Sequence, residues 1–184
     1  HQLLLEFDDG TSLSTTIAMY GGIQCWGEGD DFDNPYYNIA KEKTSPLTDE
    51  FDEPYFQKLI NPEAVLKLSL KAALATEQRI PGLGNGCLQD ILWQAKLNPR
   101  RKTNTLSGDE THKLFITLKH TLAEMAHAGG RSTEKDLFGL PGSYQVVMSA
   151  ANKDKPCPVC GSLIKKESYL GGSIYTCPQC QPLN

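Results

Sequence analysis

Short apolar runs broken by turn residues occupy the first 26 positions, and a helical period takes over after residue 60. Gln2–Phe7 predicts a strand. Asp8-Asp9-Gly10 follows, and Asp and Gly tolerate the backbone conformations of a tight turn. Ser12–Met19 and Ile23–Trp26 predict further strands, with Gly21-Gly22 as a bulge or bend between them. Residues 27–56 are acidic and rich in Asp, Asn, Pro and Tyr, which predicts a surface connection ending in a short helix. Asn61 then suits an N-cap and Pro62 the first helical position, with Leu66, Leu70, Ala73 and Leu74 on one helical face. Pro81–Gly86 cannot be helix. A second helix is expected from Leu88, Ile91, Leu92 and Ala95, spaced i, i+3, i+4, i+7, with Asn98-Pro99 as its end. Ser107-x-x-Glu110 reads as a capping box opening a third helix, with Phe115, Leu118, Leu122 and Met125 as its buried stripe and Gly129-Gly130 as its stop. A loop over about 129–142 and a short helix before Lys153 complete the pattern, with no internal repeat.

Charge divides the chain. The net charge of −4 argues against a general polyanion binder. Residues 1–60, however, hold 12 acidic and 3 basic side chains, a net of −9, and residues 61–184 hold 10 and 15, a net of +5. A phosphate-binding surface would belong to the second part. The 184 residues are 39% hydrophobic, enough for one or two small domains. No apolar run is long enough for a membrane span, and no secretory leader is recognisable. The first residue is His1, not Met, so we expect a processed chain or a piece of a longer one.

Four of the six cysteines form the pattern Cys157-x2-Cys160-x16-Cys177-x2-Cys180. Each C-x-x-C knuckle brings two thiolates to one metal, and the spacer lets a hairpin return the second pair. Four sulfurs in a tetrahedron suit Zn²⁺, and a site filled by protein ligands is structural. Two disulfides or a redox pair are the alternative. Cys25 and Cys87, inside apolar stretches, are expected to be buried free thiols. Within the spacer, Lys165 and Lys166 are basic, and Tyr169, Ile174 and Tyr175 alternate with small residues as in a β-hairpin. That hairpin either packs on a neighbour or lies against a nucleic-acid backbone.

Gly82-Leu83-Gly84-Asn85-Gly86 lies between two predicted helices. A dinucleotide fingerprint would need a preceding strand, so that reading is set aside. Backbone N–H groups opening a helix make an anion site. Asn85 either donates to a phosphate or caps the helix. Lys71, Arg79, Lys96, Arg100, Arg101 and Lys102 supply positive charge nearby, so a DNA phosphate is a reasonable partner.

Gln78–Gly86, followed by Asp90, Leu92 and Asn98-Pro99, resembles the helix-two-turn-helix region of the formamidopyrimidine-DNA glycosylase and endonuclease VIII family. Gly129-Gly130-Arg131-Ser132-Thr133, running into Asp136 and Phe138, resembles it too, and the four-cysteine tail is similar to that family's zinc finger. Order and spacing agree over about residues 61–182; the N-terminal strands resemble the end of the family's β-sandwich more weakly. The fold class implied is α+β: a β-sandwich remnant over 1–52, a helix-two-turn-helix domain over 53–151 and a zinc β-hairpin over 152–184. The resemblance implies the C-terminal, DNA-binding part of a base-excision repair glycosylase and AP lyase that flips a damaged base, cuts its glycosidic bond and nicks the backbone. Its partner would be double-stranded DNA with damaged bases or abasic sites, bound by a monomer with one structural Zn²⁺, in a bacterial-type, nucleoid-associated cytoplasmic setting.

The family's nucleophile is an N-terminal proline amine with a glutamate beside it. His1-Gln2 stands at the start here, so no catalytic residue is assigned and this chain alone is expected to be inactive. The DNA-binding candidates are Lys71, Arg79, Gly84, Asn85, Lys165, Lys166, Tyr175 and Tyr20, the last from the family's gap-filling segment, which reads Met19-Tyr20-Gly21. Gly172 occupies the finger position where the family carries a phosphate-clamping arginine. A non-enzymatic zinc-dependent nucleic-acid-binding module is the alternative, and a zinc-stabilised protein-interaction domain a third reading.

Overall fold

The computed structural model describes residues 3–17, 22–30 and 32–183, which form two compact units, His1–Asn34 and Pro35–Asn184. This division falls earlier than the boundary read at residue 52. The segment after Asn34 belongs to the helical unit because its polar groups are tied there. Lys43 donates to the Gln78 carbonyl, the Thr44 N–H donates to the Tyr55 hydroxyl, and Lys119 donates to the carbonyls of Thr48 and Phe51.

In the first unit, β1 (Leu3–Glu6) pairs antiparallel with β2 (Ser12–Thr15), Leu3 opposite Thr15 and Glu6 opposite Ser12. The turn falls at Asp8–Gly10 as expected: Gly10 has φ 82°, and Asp9 Oδ1 accepts from the Thr11 N–H at 2.9 Å. Two strand expectations need correction. The second strand ends at Thr15, short of Thr16 and Ile17, with Met19 outside the described residues, and Ile23–Trp26 is in no strand. The Trp26 ring there stacks on Phe32 at 3.8 Å.

The second unit opens with α1 (Pro35–Glu42) and α2 (Glu53–Ile60). Only α2 was legible. Its N-cap Asp52 accepts from the Tyr55 N–H. Asn61 closes α2 instead of opening a helix, its N–H donating to the Gln57 carbonyl. Pro62 precedes a single turn, α3 (Glu63–Leu66), and Ser69 caps α4 (Leu70–Ala75). The expected long helix is thus two short ones. Ser69 and Thr103 draw the chain aside between them: the Leu68 carbonyl accepts from both the N–H and the hydroxyl of Thr103. Val65, not Leu66, faces the core with Leu70, Ala73 and Leu74.

Helix α5 (Asn85–Ala95) buries Leu88, Ile91, Leu92 and Ala95, the four positions its period predicted. It stops at Lys96, left-handed at φ 62°, whose N–H reaches back to Leu92 and Trp93 before Asn98-Pro99 is reached. Helix α6 (Gly108–His127) has both halves of the Ser107/Glu110 capping box and packs along α5. Phe51, Phe56 and Phe115 form the aromatic centre of the core. After Gly129 and Gly130, both at positive φ, the chain folds back so closely that a Cβ on Gly142 would lie 2.1 Å from the Gly130 carbonyl carbon. A 3-10 turn (Ala150–Asn152) leads into the hairpin of β3 (Lys165–Tyr169) and β4 (Gly172–Thr176).

Among the described residues, no helix is long and apolar enough to cross a membrane.

Candidate nucleic-acid interface and metal centre

The sulfurs of Cys157, Cys160, Cys177 and Cys180 lie within 4.8 Å of one another, two pairs at 3.2 and 3.9 Å. These separations exceed the roughly 2.05 Å of a disulfide. They bracket the edge of a tetrahedron with Zn–S bonds of about 2.3 Å, which is about 3.8 Å. The thiols cannot all ionise unaided. Hydrogen bonding, first from the Ser162 backbone, holds Cys160 down to about 6, while burial pushes Cys180 up to about 12. A divalent cation removes that conflict by neutralising the thiolates. The four side chains therefore fit a structural Zn²⁺, which would supply folding free energy and leave no open coordination position for catalysis. Trp93 of α5 packs against the cluster, its buried Nε1 beside the Cys157 sulfur.

Side-chain amides join the finger to the helices. Buried Gln181 donates from Nε2 to the Leu97 carbonyl at 2.8 Å and accepts from the Cys177 N–H, and its own carbonyl accepts from Asn98 Nδ2. Buried Gln89 accepts from the Tyr175 N–H at 3.0 Å and donates to Asn85 Oδ1 at 2.8 Å. Buried Asp90 accepts from the N–H groups of Val147 and Met148. Burial raises its carboxyl pKa, opposed by those two donors and by Arg131.

Asn85 is not a cap. Gly84 holds the N-cap position without a side-chain bond, and Asn85 is the first helical residue. Its Nδ2 donates to the Ser173 carbonyl at 3.0 Å. Lys71, buried on α4, reaches the same hairpin end, with Nζ donating to the Tyr169 carbonyl. A Cβ at Gly172 would lie 3.4 Å from Lys71 Nζ and 3.8 Å from Asn85 Nδ2. Three positions read separately in the sequence thus converge: Lys71, the Gly84-Asn85 helix start and Gly172.

The rest of the expected basic cluster disperses. Arg79 is committed to the Ala72 and Ala73 carbonyls and to Glu77, and so finishes α4. Arg101 grips Glu110 and Thr105, and Lys102 donates to the Lys67 carbonyl. Freed helix-end carbonyls demand donors, and these cations supply them. Arg100 lies 4.3 Å over the Tyr169 ring, with its Nε 3.4 Å from Glu167. Lys165 and Lys166 are exposed where β3 begins, away from the turn at 170–171. Tyr175 is half-buried against the metal cluster. Tyr20 lies outside the described residues. Cys25 is exposed and Cys87 half-buried, which corrects their expected burial.

Residues 43–136 match the family model described as the formamidopyrimidine-DNA glycosylase H2TH domain, more than half of the 184 residues. The chain belongs to the formamidopyrimidine-DNA glycosylase family. Relatives bearing that name include one from Wolbachia pipientis, 34% identical over 97% of this chain and 65% of its own length. One from Histophilus somni is 34% identical over 96% and 64% respectively. The chain thus spans about 65% of these relatives. Among solved structures, the MutM (Fpg) protein of Thermus thermophilus superposes with a TM-score of 0.68 at 28% identity, covering 77% of this chain and 54% of that one. Lactococcus lactis Fpg complexed with DNA containing an abasic site gives 0.67 at 29%, covering 80% and 53%. The α+β architecture of small hairpins, helices and a C-terminal four-cysteine cluster is that of the family's C-terminal part. Gln89, Gln181 and Trp93 escaped the sequence reading; the one available signal was the i, i+4 spacing of Asn85 and Gln89 on a helix.

Proposed function

We propose that these residues are the DNA-gripping C-terminal part of a base-excision repair glycosylase and AP lyase. The observation that carries this is the convergence of Lys71 Nζ, Asn85 Nδ2 and the start of α5 on one end of the finger hairpin. Donors grouped at a helix N-terminus, with a buried cation beside them, suit a phosphate oxygen. The ligand is double-stranded DNA with a damaged base or an abasic site, taken by a monomer, and one Zn²⁺ holds the hairpin in place. A nucleoid-associated place in the cytoplasm suits that ligand. Lys165 and Lys166 add diffuse attraction, and Tyr20 contacts the DNA near the lesion. Arg79 is given no primary contact, since its Nη1 donates to the Ala72 and Ala73 carbonyls and its Nη2 to Glu77. Excision and strand cleavage are assigned to none of these side chains.

A fluorescent abasic-site duplex titrated at two salt concentrations tests the grip. Binding that falls steeply with salt supports it, and salt-insensitive or absent binding overturns it. Borohydride trapping on the same duplex should leave no covalent adduct with these residues alone; an adduct would show an amine acting here as nucleophile.

A further inference from the structure

We propose that Gln89 is a positioning residue for the Asn85 amide, turning its N–H₂ edge toward the phosphate site. The proposal rests on the reading that Asn85 donates to DNA.

The polarity of the two amides follows from groups that cannot change role. The Tyr175 N–H can only donate, so the Gln89 atom 3.0 Å away is Oε1. Gln89 Nε2 therefore faces Asn85 at 2.8 Å and needs an acceptor, which Oδ1 provides. Asn85 Nδ2 is left facing the Ser173 carbonyl, an acceptor only, at 3.0 Å. Gln89 Nε2 also approaches that carbonyl at 3.4 Å. One hydrogen of Asn85 Nδ2 goes to Ser173, and the second remains for a ligand. With the opposite amide orientation, Oδ1 would meet the Ser173 carbonyl and present a lone pair to an incoming phosphate.

Burial sharpens the effect. Gln89 is only 2% exposed, so water cannot replace its bonds cheaply. The neighbouring Lys71 ammonium by itself favours the wrong orientation, because it attracts Oδ1. Gln89, together with the Ser173 carbonyl, offsets that pull. An asparagine donor is thus kept beside a lysine by a third residue that contacts no phosphate.

Gln89→Glu separates positioning from packing. The carboxylate keeps the shape and still accepts from the Tyr175 N–H, but it repels Oδ1 and turns the amide over. Gln89→Met keeps the volume and removes both bonds, and serves should the carboxylate prevent folding. Each change is made alone and combined with Asn85→Ala, with zinc content and thermal melting checked for every variant. Affinity for the fluorescent abasic-site duplex should fall roughly tenfold for Gln89→Glu and several-fold for Gln89→Met, the scale of a bond to a charged group. Added to Asn85→Ala, either should have under about a threefold further effect, since coupled residues are not additive. Equal losses in both backgrounds would overturn the inference while leaving the DNA reading intact. An Asn85→Ala variant that binds like the parent would instead remove the DNA reading. In that case the Asn85 side-chain amide resonances decide orientation alone: they should shift strongly in Gln89→Glu, and unchanged resonances would end the proposal.

Discussion

Lys71 Nζ donates to the main-chain carbonyl of Tyr169, 98 residues further along the chain, from a position that is only 5% exposed. A cation there meets a carbonyl dipole where a carboxylate would serve stability better. Burial accordingly lowers its pKa below 10.5. The charged form is disfavoured by the fold, so stability rises as pH climbs through the depressed pKa toward 10.5, and phosphate affinity falls over the same window. Lys71→Met should change stability by no more than about 1 kcal/mol, because an apolar isostere relieves the desolvation. DNA affinity should fall by about 1.5–3 kcal/mol. Melting curves and duplex titrations read the two effects separately.

Asn85→Ala should weaken duplex binding by about 1–2 kcal/mol and reduce the slope of log affinity against log salt by about one unit if Asn85 contacts a phosphate. It also removes the bond to Ser173, so a small loss of stability accompanies it. A folded variant with the parent's affinity and slope would confine Asn85 to joining helix and hairpin.

Gly172→Arg should strengthen binding. Gly172 lies outside the left-handed region, and an added Cβ would stand 3.4 Å from Lys71 Nζ, an ordinary contact. The backbone therefore accepts the substitution, and the guanidinium adds a two-pronged phosphate donor beside Asn85. Steeper salt dependence should accompany the gain; unchanged affinity would mean that this hairpin end does not face DNA.

Metal analysis should find about one zinc per chain. A chelator should unfold residues 152–183 and abolish DNA binding, since Tyr169 and Ser173 are then no longer held against Lys71 and Asn85. The aromatic core around Phe51, Phe56 and Phe115 has its own packing and should keep its helical circular dichroism.

Acid should loosen α6 first. The Arg101 hydrogen bond, aided by the Ser107 backbone, holds the Glu110 carboxyl down to about 2 from 4.5. A depressed folded pKa gives stability that is complete above 4.5 and is lost as pH falls toward 2. Glu110→Gln should remove this dependence and cost about 1 kcal/mol, the scale of a lost cap. Melting temperature followed from neutral pH down through this window checks it.

Local rules made much of this legible. The period of α5, the capping box of α6 and the two cysteine knuckles each depend on neighbours within a few residues, and each came out as read. What escaped depends on distant partners. Asn61 and Pro62 have the right chemistry to open a helix, yet Asn61 closes one through its N–H to Gln57, and the helix expected after it is split because Thr103, far along the chain, claims the Leu68 carbonyl. Arg79, Arg101 and Lys102 look like free cations in one dimension; in three they serve carbonyls and Glu110. Asn85 offered two roles, phosphate donor or cap, and its bond to Ser173, 88 residues away, was a third that no local pattern encodes.

The amide ties that join α5 and the following Leu97 to the finger cross 84 to 88 residues. Contacts of that span close last in folding, since chain entropy opposes long loops before any contact rewards them. During synthesis the finger also leaves the ribosome after the helices. The grip would therefore mature as the final step and only in the presence of metal. A nascent or zinc-starved chain could hold a folded helical core and still leave DNA alone.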